Sequence, residues 1–136
     1  MTEISIAYDG ELRCRATHGA SGATVTTDAA AEHGGHGEYC SPTDLVAVGL
    51  GSCVLTIVGM VARRHGVDIT GATAVVKKEM ATGPVRRIGR LDVTVRVPGV
   101  ADEALRRRIE RAVRTCPVHH SLHPDIAAPI GFEWLP

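Results

Sequence analysis

From Leu45 to Ala62 the chain runs eighteen residues without a charged side chain, and this stretch limits the available folds more than any other feature. Eighteen apolar residues is the lower edge of a membrane span. The flanks and interior favour a different solution. Ser41-Pro42-Thr43-Asp44 has the form of a helix start: Ser at the cap, Pro at the first helical position, and Asp three residues after the cap. Arg63-Arg64-His65 followed by Gly66 has the form of a helix end, with cations in the last turn and a glycine stop. Three glycines and the polar Ser52 and Thr56 interrupt the apolar run. The expected element is a long helix enclosed by protein on all sides.

The other elements are arranged around it. Glu11 to Thr17 alternates, with Leu12, Cys14 and Ala16 on one side, which is the period of a half-buried strand. Gly19 to Gly22 marks a turn, Ala23 to Thr27 reads as a second strand, and His33-Gly34-Gly35-His36-Gly37 as a flexible, solvent-exposed loop. Ala72 to Met80 and Leu91 to Val97 read as an antiparallel hairpin turning near Thr82-Gly83-Pro84. Leu91, Val93, Val95 and Val97 face one way in the second strand. A second helix is expected from Asp102 to Thr115, with Leu105, Ile109 and Val113 as its apolar stripe and Pro117 as its stop, and Ile126 to Trp134 supplies a last strand. Strands, helix, hairpin, helix, strand define an α+β fold, and residues 1–136 read as one domain.

Charge narrows the function. Fifteen basic and fifteen acidic residues cancel, so no electrostatic footprint for nucleic acid is expected, and Arg106-Arg107-Arg108 reads as a solvated helix face. Met1 to Asp9 has neither a basic start nor a long apolar stretch, so no secretory signal is expected. Four cysteines at this length do not make a secreted disulfide scaffold. The expectation is a cytoplasmic protein with thiols reduced at rest, no membrane partner and no cofactor.

Among those cysteines, Cys53 lies deep in the long helix. Cys116 follows Leu105 by eleven residues, which returns to nearly the same helix face, so it too should point inward. Two readings of the pair stand at this point: a redox couple, or two unrelated buried structural cysteines. A metal site is the weaker alternative. Cys116, His119, His120 and His123 are close in sequence, but no CxxC or HExxH is present, and no metal is expected. Cys14 reads as a small core residue. Cys40, four positions before Leu45, has the spacing of a hydrophobic staple.

The two cysteine segments, Ser41-Pro42-Thr43-Asp44-Leu45 through Gly51-Ser52-Cys53 and Cys116-Pro117-Val118-His119 through Ser121-Leu122, resemble the OsmC/Ohr family of osmotically inducible and organic hydroperoxide resistance proteins. The likeness is greater to its broader OsmC-like branch. It implies an intertwined homodimer with sheets around the central helices, and thiol-dependent reduction of organic hydroperoxides, with hydrogen peroxide as a further substrate. Cys53 would be the peroxidatic residue and Cys116 the resolving one, reset by an external dithiol. The rival readings are a non-enzymatic small-ligand-binding protein and a thiol redox sensor. Leu50, Val54 and Ile57, near Cys53, are candidate substrate-lining residues whose default role is core packing.

In the family an arginine and a glutamate surround the reactive thiol. This chain has Thr17-His18-Gly19-Ala20-Ser21-Gly22 where the arginine loop belongs, so His18, Arg86 and Arg87 are the candidate substitutes. Asp44 is the candidate acid. Nine residues along one helix is about 13.5 Å of rise, so Asp44 can serve only the Cys53 of another subunit. Cys53 itself lies about 18 Å from the helix start, beyond useful reach of the terminal dipole.

Overall fold

The computed structural model describes residues 1–136 as an α+β protein. Its elements are β1 (Ile4–Gly10), β2 (Arg13–His18), β3 (Thr24–Asp28), α1 (Pro42–Arg64), β4 (Thr73–Met80), β5 (Ile88–Val97), α2 (Glu103–Ala112), α3 (Pro117–Ser121) and β6 (Ile130–Trp134), with single 3-10 turns at Ala31–His33 and Val113–Thr115. The chain forms two compact units, Met1–Val46 and Ala47–Pro136.

In the first unit β1, β2 and β3 form an antiparallel sheet in that order. β1 is absent from the sequence reading, and Glu11 and Leu12, read as the start of a strand, instead form the turn between β1 and β2. Both have positive φ, 54° and 62°, as a two-residue hairpin of the primed type demands. Asn-Gly is the usual signal for such a turn, and Glu-Leu disguises it. The glycine-rich loop is exposed, as expected, but held. The buried Asp28 carboxylate accepts the backbone N–H groups of His36 (3.3 Å) and Glu38 (3.1 Å) and faces Arg13 Nη2 at 3.5 Å. Burial pushes this carboxyl's pKa upward, but those N–H groups and Arg13 outweigh it and hold it below its ordinary value.

The helix start follows the sequence reading closely. Ser41 Oγ accepts the Asp44 N–H at 3.2 Å, and Asp44 Oδ2 accepts the Ser41 N–H at 2.9 Å, a reciprocal capping box. At the far end Gly66 has φ 70°, and the N–H of Val67 reaches back to the Ala62 carbonyl. The helix is long and apolar enough to cross a membrane, but its Leu50, Val54 and Val58 are fully buried in the core of the second unit. Enclosure on all sides is not observed within one chain: Val48, Ser52, Thr56 and Met60, four apart, form an exposed stripe.

In the second unit β4 and β5 pair antiparallel, as the hairpin reading requires, and β6 joins β5 in parallel through the crossover made by α2 and α3. Leu91, Val93, Val95 and Val97 are all buried, and with Leu50, Val54, Val58, Leu105, Ile109 and Val113 they make the core. A Cβ at Gly51 would lie 2.9 Å from Val76 Cγ2, so the glycine is what lets α1 approach β4 this closely. The last strand starts at Ile130, because the preceding residues are tied to β5 by single bonds, such as Leu91 N–H to the Ala127 carbonyl (2.8 Å).

Candidate functional site

Cys53 is set on the flank of α1. Leu50, Val54 and Val58 occupy the fully buried face, and Cys53 and Ile57 stand beside it, half-buried and packed against the core. Cys116 reaches the same place from the other side of the core. α2 carries Leu105 and Ile109 inward, then tightens into the 3-10 turn at Val113–Thr115, where Thr115 Oγ1 donates to the Ala112 carbonyl (2.6 Å). Pro117 then excludes the α region for the residue before it, and Cys116 is extended with ψ 119°.

Pro117 therefore does more than the expected stop. It ends one helix and is the first residue of the next, α3. Cys116 is the N-cap of α3, and its Sγ accepts the His119 N–H at 3.4 Å. The thiol is fully buried.

Both cysteines are free, and their side chains are near enough for Cys53 to act on the pKa of Cys116. Burial raises the pKa of Cys116 above its ordinary value, and the hydrogen bond to Cys53 raises it further, with the N–H groups of His119 and Val118 acting in the opposite sense. The net effect is that Cys116 holds its proton more tightly than an ordinary thiol.

The remaining candidates separate. Leu50 and Val54 are fully buried core residues and Ile57 is half-buried, so within one chain they pack. Arg87 lies in the β4–β5 connection, with Nη1 donating to the Ile88 carbonyl at 3.2 Å. His18, at the end of β2, pairs its Nδ1 with Ser21 Oγ at 2.7 Å. Asp44 caps α1. Cys14, read as a small core residue, is half-buried, and Cys40, read as half of a hydrophobic staple, is exposed. No group of three or more His, Cys, Asp or Glu side chains is placed to hold a metal ion. His119 Nε2 bonds the Ala128 carbonyl (3.0 Å) and His120 Nε2 bonds the Arg114 carbonyl (2.8 Å).

The cavities of the second unit include one of about 450 Å³ at the β4–β5 connection, around Thr82, Val85 and Arg87, and two larger ones. One of about 690 Å³ lies at the C-terminal end of α1, around Thr56, Met60 and Ile69. The other, of about 620 Å³, lies between α2 and β6, around Val113, His119 and Phe132. Neither Cys53 nor Cys116 lines them. The sequence reading weighed His119 only as a metal ligand and missed its backbone N–H on Cys116 Sγ and its ring bond to the Ala128 carbonyl. The available signal was Pro117 at a helix N1 position, which makes Cys116 a cap.

Fold and site together define an α+β protein with a converging pair of reduced cysteines, one on a long central helix and one capping a short C-terminal helix. The sequence pattern of the OsmC-like protein family matches residues 35–128, and the chain belongs to that family. An osmotic stress induced and detoxification response protein from Psychrobacter arcticus is 39% identical, with a TM-score of 0.92 over 98% of this chain and 96% of that one. An OsmC-like protein from Mycoplasma pneumoniae shares the fold at 15% identity, with a TM-score of 0.83 over 100% and 98% of the two chains. An organic hydroperoxide resistance protein from Elizabethkingia anophelis does so at 16%, with a TM-score of 0.77 over 99% and 96%. Among curated proteins none matches the chain.

Proposed function

We propose that this protein is a cysteine-based hydroperoxide reductase in which Cys53 attacks and Cys116 resolves. The observation that carries the reading is the thiol pair itself: Cys116 is buried, its pKa is raised, and the side chain of Cys53 is one of the causes. The Cys53 thiolate attacks the distal oxygen of ROOH, the O–O bond breaks, and with one proton the products are Cys53–SOH and ROH. The Cys116 sulfur then attacks the sulfenic sulfur, its proton leaves with the hydroxyl as water, and a Cys53–Cys116 disulfide forms. An external dithiol, oxidised in turn to its own disulfide, restores both thiols. Organic hydroperoxides are the proposed substrate class, in keeping with the family relative named for resistance to them.

The proposed working form is a homodimer. In β1, Ile4, Ile6 and Tyr8 alternate onto one face, and the register Ile6–Ala16–Val25 adds Val25 to it. Ile6 and Tyr8 remain 64% and 66% exposed. A contiguous apolar sheet face of this kind is a surface that a second copy of the chain can cover.

The test is consumption of cumene hydroperoxide, with a dithiol reductant, by wild type, Cys53→Ser and Cys116→Ser. Turnover should vanish in Cys53→Ser. In Cys116→Ser the sulfenic acid should persist and no intramolecular disulfide should form. Full turnover in Cys53→Ser would sink the proposal. A second reading, a redox sensor, draws on one observation: the sulfur that would be oxidised is also the cap acceptor of α3. Stoichiometric oxidation without turnover would favour it.

A further inference from the structure

We propose that His119 is the positioning residue that holds Cys116 ready for bond formation with Cys53. The proposal rests on reading these two cysteines as a redox couple, and it concerns a residue with no role in either half of the chemistry described above. His119 is tied at two points. Its backbone N–H donates to Cys116 Sγ at 3.4 Å. Its ring Nε2–H donates to the Ala128 carbonyl at 3.0 Å, which fixes the tautomer, because a carbonyl oxygen can only accept.

Ala128 is a firm anchor. On one side of it the Leu91 N–H bonds the Ala127 carbonyl (2.8 Å), and on the other the Val93 N–H bonds the Pro129 carbonyl (3.0 Å). Leu91 and Val93 belong to β5, the buried centre of the C-terminal sheet. A continuous path therefore runs from the core strand through Ala128 and the imidazole to the amide that touches the Cys116 sulfur.

The path matters because α3 is only five residues long. So short a helix has little stability of its own, and the extended residue ahead of Pro117 leaves Cys116 at a joint rather than inside a helix. Without the ring bond, α3 can rotate about that joint and carry the sulfur away from Cys53. Intramolecular sulfur chemistry depends steeply on this kind of restraint, because orientation sets the effective molarity of one thiol at the other.

The decisive comparison is His119→Asn with His119→Gln. Both side chains carry an amide donor, but only Gln has the reach of the imidazole Nε2. The disulfide–dithiol equilibrium of the Cys53–Cys116 pair is measured in glutathione redox buffers by mass spectrometry, alongside thermal unfolding. His119→Asn should weaken the disulfide about tenfold, the loss expected of one restraining hydrogen bond, which raises its potential by about 30 mV. His119→Gln should stay within about twofold of wild type.

A purely structural role would lower the melting temperature without separating the two variants in potential. Equal potentials for all three proteins, or equal shifts in both variants, would overturn the proposal, as would a wild-type pair that never forms the disulfide. Peroxide turnover is read separately. A pair that cycles in glutathione with the Asn–Gln split but consumes no hydroperoxide keeps the role of His119 and removes the reductase reading.

Discussion

Cys116 combines three features: it is fully buried, it caps α3, and its pKa is raised in part by the neighbouring Cys53. Its inward placement was legible, because Leu105 and Cys116 are eleven residues apart on a helical period. The route was not, since the helix tightens and breaks before it arrives, and the local preference of the residue before Pro117 takes over. Its raised pKa has two separable causes, burial and the neighbouring Cys53. In Cys53→Ala the second disappears and the first remains. Cys116 should therefore titrate above its ordinary range in wild type, and at a lower pH in Cys53→Ala. Thiolate absorbance followed against pH checks this. An unchanged titration would show that burial alone sets the proton on Cys116, and the pairing with Cys53 would lose its support.

Among the elements, the best-read were those whose signals lie within a few residues. The capping box of α1, the inward row of β5 and the glycine stop at Gly66 all appear as the sequence indicates. β1 was missed because its apolar residues remain exposed in one chain and its turn uses Glu11 and Leu12 at positive φ. The parallel pairing of β5 and β6 was also hidden, since pairing partners depend on contacts far apart in sequence. Gly51 exposes a similar conflict between local and tertiary preference. Helix propensity alone favours Gly51→Ala by about 1 kcal/mol, whereas overpacking against the stiff Val76 costs about 1–3 kcal/mol. The new Cβ would stand 2.9 Å from Val76 Cγ2, so the steric cost should prevail and Gly51→Ala should lose about 1 kcal/mol in urea unfolding. A stabilised variant would mean that α1 can withdraw from β4 at little cost.

On the scale of the whole molecule, the thiol pair is complete within one chain while much apolar surface is not covered by it. Composition and periodicity specify which strand faces are apolar, but not what covers them, which is why the sequence could place Cys53 and Cys116 better than it could enclose α1. Full burial of Ile or Val side chains is worth roughly 1.5–3 kcal/mol each, so the face carrying Ile4, Ile6, Tyr8 and Val25 represents a substantial drive toward association. Ile6 is at its middle, paired with Ala16, and a charge there would have to be desolvated for two copies to close. Sedimentation velocity should therefore show wild type as a dimer and Ile6→Lys as largely monomer. The Cys53–Cys116 pair lines none of the cavities described above, so if a second copy completes the substrate site, cumene hydroperoxide turnover should fall along with the dimer. A monomeric wild type would remove the proposed assembly. A monomeric Ile6→Lys with full turnover would show instead that one chain carries the whole reaction, with the N-terminal sheet face serving stability alone.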